Sequence, residues 1–154
     1  MLKEKIIVYT SGTFDMFHSN HVKMINYARG LGDILIIGVS TDELACSYKS
    51  PPTIPFEERI SIIGSLKQPD IVVPQHSLDQ TQMVKNLHVD AFVVGDDWIG
   101  KFDYLGEFGV KVFYFPYGAG ASSTKIKEQI GTSYLKILKK IDNHSNPNII
   151  KNKK

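Results

Sequence analysis

The chain has 154 residues, 42% of them apolar and 22% charged, with a single cysteine, Cys46. That length fits one domain with a core of its own, and one cysteine excludes both an internal disulfide framework and a cysteine-based zinc finger. The net charge of +2 is unevenly spread: six of the eighteen basic residues follow position 135, and the rest of the chain carries 12 positive against 15 negative residues, which excludes the broad basic surface of a nucleic-acid binder.

In chain order, residues 6–9 (Ile-Ile-Val-Tyr) predict a first strand. Val22, Ile25, Ala28 and Arg29 then recur at helical spacing, and Leu31-Gly32 closes that segment. Residues 34–39 predict a second strand. Phe56, Ile60, Ile63 and Lys67 form a helical stripe after Pro55, a favourable first helical residue. Residues 70–73 predict a third strand, and Leu78, Met83, Val84 and Leu87 a helix after it. Residues 91–94 and 110–115 predict strands four and five. Residues 123–130 read as another helix, with a last one carrying Tyr134, Leu138 and Ile141.

Most of the strands are continuously apolar, as in a parallel sheet covered on both faces. Strands alternating with helices give a three-layer, Rossmann-like α/β domain with a five-stranded parallel sheet. That domain is expected over residues 1–141. Residues 142–154, polar and Lys-rich, read as a solvated, disordered tail. No apolar run approaches the roughly 20 residues that span a bilayer, and the N-terminus lacks the apolar segment of a signal peptide. A cytoplasmic protein without membrane insertion is therefore expected.

Ligands of open α/β sheets bind beyond the carboxyl ends of the strands, and four such segments carry chemistry. After strand one, Gly12 lets backbone approach a ligand. His18 and His21 lie three apart at a helix start, where exposed N–H groups favour a phosphate. Packing of His18 in its loop and solvation of His21 is the competing reading. After strand two come residues 40–43 and then Lys49-Ser50-Pro51-Pro52. After strand four comes Gly95-Asp96-Asp97-Trp98. After strand five, Ser122-Ser123-Thr124 offers hydroxyls at a helix start, for a phosphate or for simple capping. There is no Walker-type motif and no G-x-G-x-x-G after strand one. No third histidine or carboxylate stands at zinc-ligand spacing, so no protein-held metal is expected.

Gly12-Thr13-Phe14-Asp15 with His18-x-x-His21 resembles the GxFDxxHxGH motif of the HxGH nucleotidyltransferases. Gly95-Asp96-Asp97-Trp98, followed by Gly100-Lys101-Phe102-Asp103, is similar to the glycerol-3-phosphate cytidylyltransferase family within them. Gly120 to Lys127 resembles the RTEGxSTTxI segment of that family, and Lys49 to Pro52, with Glu57-Glu58-Arg59, resembles the lysine loop and following helix of its choline- and ethanolamine-phosphate relatives. The likeness runs over about residues 5–131.

It implies CMP transfer from CTP to a phosphorylated small alcohol, with release of pyrophosphate and formation of a CDP-alcohol for surface polymer or lipid synthesis. An adenylyltransferase or a nucleotidyltransferase for another acceptor is one alternative, and a nucleotide-binding module with weak turnover is the other. By the same resemblance His18, His21 and Lys49 are catalytic. Gly12, Thr13, Phe14, Asp15, Asn20, Asp96, Tyr117, Ser122, Ser123 and Thr124 bind the nucleotide, and Arg59, Lys67 and Trp98 bind the acceptor. Mg²⁺ comes with the nucleotide, and the enzyme is a homodimer.

Two departures stand out. Asn20 replaces the motif glycine, and Tyr117-Gly118-Ala119-Gly120 replaces RTEG, which removes an arginine. A hydrogen bond from a charged group contributes about 1.5–3 kcal/mol, so a transition-state arginine lost without compensation means a reaction slower by roughly 10- to 150-fold.

Overall fold

A computed structural model describes residues 4–144. They divide into two compact units, one ending at Gly120 and one beginning at Ala121.

The first unit is built on a five-stranded sheet in the order β3-β2-β1-β4-β5, with every neighbouring pair parallel. The strands are β1 (Ile7–Gly12), β2 (Ile34–Ser40), β3 (Ile71–Gln75), β4 (Ala91–Gly95) and β5 (Lys111–Phe115). Helices α1 (Ser19–Arg29), α2 (Asp42–Tyr48), α3 (Phe56–Gly64) and α4 (Thr81–Asn86) join the first four strands. Two 3-10 turns, Asp96–Trp98 and Asp103–Phe108, join β4 to β5.

Side chains alternate across the sheet, so each face gathers its own core. Val8, Leu35, Ile37, Val39 and Val93 pack with Met24, Ile25 and Ala28 of α1 and Ile63 of α3. Tyr9, Ile36, Phe92 and Val94 pack on the other face with Val84 of α4 and with Leu105 and Val110. Burial on both faces explains the continuously apolar strands. The chain progresses one way through β1, β2 and β3, then crosses back to β4 and β5. The order reverses between β1 and β4, which makes the crevice beyond Gly12 and Gly95 the topological switch point of the sheet.

Three elements differ from expectation. β1 runs on through Thr10 and Ser11 to Gly12, because those polar side chains are buried while their backbone pairs with Ile37 and Gly38. α2 occupies what reads as a loop, capped by the Thr41 hydroxyl, which accepts the Leu44 N–H. Pro55 is the N-cap of α3 rather than its first helical residue.

The described residues of the second unit form a single helix, α5 (Ser123–His144), where two were expected; Gly131 does not break it. The tail expected from residue 142 begins inside this helix, and residues 145–154 lie outside the described residues.

Candidate active site at the switch point

The loop after β1 is held in an unusual shape. Phe14 and Met16 both have left-handed backbone angles, φ 56° and 50°, a conformation that costs non-glycine residues free energy and persists only where the surroundings impose it. Two buried charges impose it here. Asp15, almost fully buried, accepts the Thr53 N–H through Oδ2 and the Ile54 N–H through Oδ1, both at 2.9 Å. Arg59, 1% exposed, donates through Nη1 to the carbonyls of Thr13 (2.6 Å) and Ser40 (2.8 Å). Its Nε donates to the Ile54 carbonyl (2.8 Å) and its Nη2 to Asp42 Oδ1 (2.6 Å), which holds the Asp42 carboxyl below its usual range. The strand ends, the β1 loop and the segment that follows Lys49 are thus tied to one guanidinium.

This corrects one expectation. Arg59 was expected on the acceptor. Its guanidinium is buried in the protein instead, with four of its five N–H donors given to backbone carbonyls or to Asp42.

On this platform His18 is the N-cap of α1 and His21 its third residue. Their rings stack, with centroids 3.8 Å apart and planes 24° apart. The backbone N–H of His18 donates to Nδ1 of His21 at 3.3 Å. That bond leaves the His21 proton on Nε2, so the ring offers an N–H donor. The competing reading, a solvated His21, does not hold: Phe17 stacks on the ring and Phe14 meets it edge-on. Burial first, then the positive charges of His18 and Lys49, bring the His21 pKa down to about 3, against the opposing pull of Asp15. Burial also lowers the pKa of His18. Both imidazoles are therefore neutral donors at neutral pH.

A stability consequence follows. Unfolded His21 takes a proton below about pH 6.5, whereas folded His21 stays neutral until about pH 3. Across that window the unfolded chain binds more protons, so this residue's contribution to stability is lost on acidification. The urea midpoint is expected to fall between pH 7 and pH 4 and to fall less in His21→Gln; equal slopes would show that His21 titrates normally.

Lys49 caps α2 close enough for its charge to lower the His21 pKa and to oppose the upward shift of Asp97. Beside it Tyr48, absent from the sequence reading, bonds its hydroxyl to that of Thr13 (3.1 Å) and meets the Trp98 ring edge-on. Trp98 also packs on Phe102, half-buried at the rim of the second core. Across the switch point, desolvation and the neighbouring Asp96 push the Asp97 carboxyl up.

Phe14 departs from expectation: its side chain is core, 3% exposed beneath His21, so only its backbone faces the crevice. A side chain at Gly12 would press its Cβ to 3.3 Å from the Phe14 ring. Tyr117 packs against the protein. Its ring lies where a Cβ on Gly95 would stand, and its hydroxyl donates to Met24 Sδ at 3.3 Å. Asn20, 4% exposed, points its Nδ2 toward the Gly118 carbonyl (3.5 Å) and lies against Gly120. The two departures from the motif thus meet in one place.

Lys67, expected on the acceptor, is also corrected. It lies where the strands begin: nearby Asp70 donates its N–H to the Leu35 carbonyl at the start of β2, and Gln68 bonds Asn26 near the end of α1. The seven residues of β2 put that end roughly 20 Å from the switch point.

In the second unit, Ser122 caps α5, its hydroxyl accepting the Lys125 N–H at 3.2 Å. Ser123 and Thr124 form the first turn.

Neutral imidazole donors, a lysine and a helix N-terminus at the switch point of a Rossmann-like sheet define a nucleotidyltransferase. The family model of cytidylyltransferase-like proteins matches residues 9–129. The chain belongs to the cytidylyltransferase-like family. It is 39% identical over 128 residues to the glycerol-3-phosphate cytidylyltransferase of Bacillus subtilis (strain 168), covering 82% of this chain and 97% of that one. It is 36% identical over 124 residues to the enzyme of the same name from Staphylococcus aureus (strain NCTC 8325 / PS 47), covering 80% and 93%. Among solved structures, the lipopolysaccharide core biosynthesis protein of Thermoplasma volcanium GSS1 superposes with a TM-score of 0.65 at 23% identity, over 77% of this chain and all of that one, a likeness of fold.

Proposed function

We propose that the enzyme transfers CMP from CTP to glycerol 3-phosphate, giving CDP-glycerol and pyrophosphate, and that it acts in the cytoplasm as a homodimer. The observation that carries this is the 39% identity to a glycerol-3-phosphate cytidylyltransferase over nearly all of that protein's length.

The residues suit the chemistry. A phosphate monoester has a second pKa of about 6 and is largely dianionic at neutral pH. Its oxygen attacks the α-phosphorus of CTP; a P–O bond forms there, and the bond to the β-phosphate breaks with its electron pair leaving on pyrophosphate. No general base is needed, because the nucleophile carries no proton to remove. The task is to align two anions and to stabilise charge on the transferring group and the leaving group. Neutral His18 and His21 supply N–H donors without drawing off a proton, and Lys49 supplies fixed positive charge. Ser123 and Thr124 would add hydroxyls to the β- and γ-phosphates.

Mg²⁺ would enter on the triphosphate, whose charge it neutralises. Among the described residues no cluster of three or more His, Cys, Asp or Glu could hold a metal, and Asp15 is engaged with backbone N–H groups. A triphosphate-bound Mg²⁺ needs no dedicated protein cage, only one or two carboxylates beside the phosphates.

Pyrophosphate release, measured with four nucleoside triphosphates and Mg²⁺ against glycerol 3-phosphate, other polyol phosphates, phosphocholine and phosphoethanolamine, tests the proposal. Turnover is expected with CTP and glycerol 3-phosphate. Turnover with ATP alone would make it an adenylyltransferase. Nucleotide binding without turnover in any pairing would make it a binding module.

A further inference from the structure

The second half of α5 lies beyond residue 129, where the family match ends. Ile130, Tyr134, Ile137 and Ile141 are each at least 55% exposed there, with Leu138 beside them. Their spacing of four, three and four residues puts them on one stripe of the helix, and Ile126 extends it toward the N-terminus. Lys125, Lys136 and Lys139 fall on the opposite arc, Lys140 flanks the stripe, and Lys127 lies within its first turn. From Ala121 to the last residue the sequence holds eight lysines against two acidic residues, Glu128 and Asp142, while the chain before it is net acidic.

From this we infer that α5 docks on an anionic lipid surface, lying in the plane of the interface with its Ile/Leu/Tyr stripe in the headgroup–acyl boundary and its lysines toward acidic headgroups. Charge chooses this occupant. A second copy would bring another lysine-rich helix against the first, whereas an anionic bilayer offers opposite charge to the lysines and apolar material to the stripe. The stripe holds about two heptads, short of the three to four that mark a coiled coil. No helix among the described residues is long and apolar enough to cross a membrane, so the contact is one of lying on the surface. The inference stands independently of which acceptor the enzyme uses.

The full chain is sedimented with vesicles of phosphatidylcholine alone and of phosphatidylcholine containing about one-third phosphatidylglycerol. Binding is expected to be at least about tenfold stronger to the anionic vesicles and to fall away in about 0.5 M salt. Ile137→Glu, and separately K136Q/K139Q/K140Q, change exposed positions and are expected to keep their thermal midpoints while losing vesicle binding. Equal binding to both vesicle types, or binding unaffected by Ile137→Glu, overturns the proposal. So does a chain that ignores vesicles and whose sedimentation mass drops by half on Ile137→Glu, since the stripe would then join two copies.

Discussion

Replacing His18 with alanine is expected to lower kcat by at least about 100-fold, the usual loss when one preorganised donor to a transition state is removed. The substitution isolates the imidazole. The backbone N–H that bonds His21 Nδ1 survives in alanine, so the proton of His21 stays on Nε2. Folding depends little on this side chain, which is half-exposed at a helix start. His21 titrates at about pH 3 and so gains no proton between pH 7 and pH 5, while burial moves the titration of His18 below that of a free imidazole. Any acid limb of the wild-type rate profile should follow the acceptor phosphate, near pH 6, and should reappear at the same pH in His18→Ala. An unchanged kcat would remove His18 from the chemistry; a vanished limb would show that His18 itself titrates there.

Replacing Arg59 with alanine is expected to destabilise the protein by about 3–5 kcal/mol, the range for breaking a buried, hydrogen-bonded ion pair. For a chain of this size that lowers the thermal midpoint by roughly 10–15 °C. The cost comes from the three backbone carbonyls of Thr13, Ser40 and Ile54, which lose their donors; the Asp42 end is half-exposed and adds little. Arg59→Lys should recover only part of this, because an ammonium cannot serve acceptors on both sides of a planar fork. Activity separates clamp from ligand. A clamp that sets the loop shape should move kcat and both KM values together in Arg59→Lys. A residue on the acceptor would raise the acceptor KM alone.

The sheet was legible because its strands are buried on both faces and so read as apolar runs. What escaped was polar and buried at once. Thr10 and Ser11 look like loop residues and are the end of β1. α2 is seven residues long with only Leu44 and Ala45 buried, too few to show a period. Gly131-Thr132-Ser133 reads as a break, yet α5 continues through it. The histidine pair and Lys49 stood out as candidates from motif and resemblance, but the aromatic packing around His21 did not, since Phe14 and Phe17 reach it only through a left-handed turn. Arg59 could have been found. It stands three residues after Phe56 and four before Ile63, on the stripe that α3 buries, and an arginine on a buried stripe must be paired. Lys67 could have been excluded by direction alone, because a helix following a parallel strand returns the chain to the end where the next strand begins.

The place taken by Tyr117 limits what a single exchange there can restore. An arginine introduced at 117 would follow the path of the tyrosine, over Gly95 toward Met24 and the paired aspartates, where an internal ion pair would engage its guanidinium. A second change at Asn20, which lies against Gly118 and Gly120, is then needed to turn that charge outward.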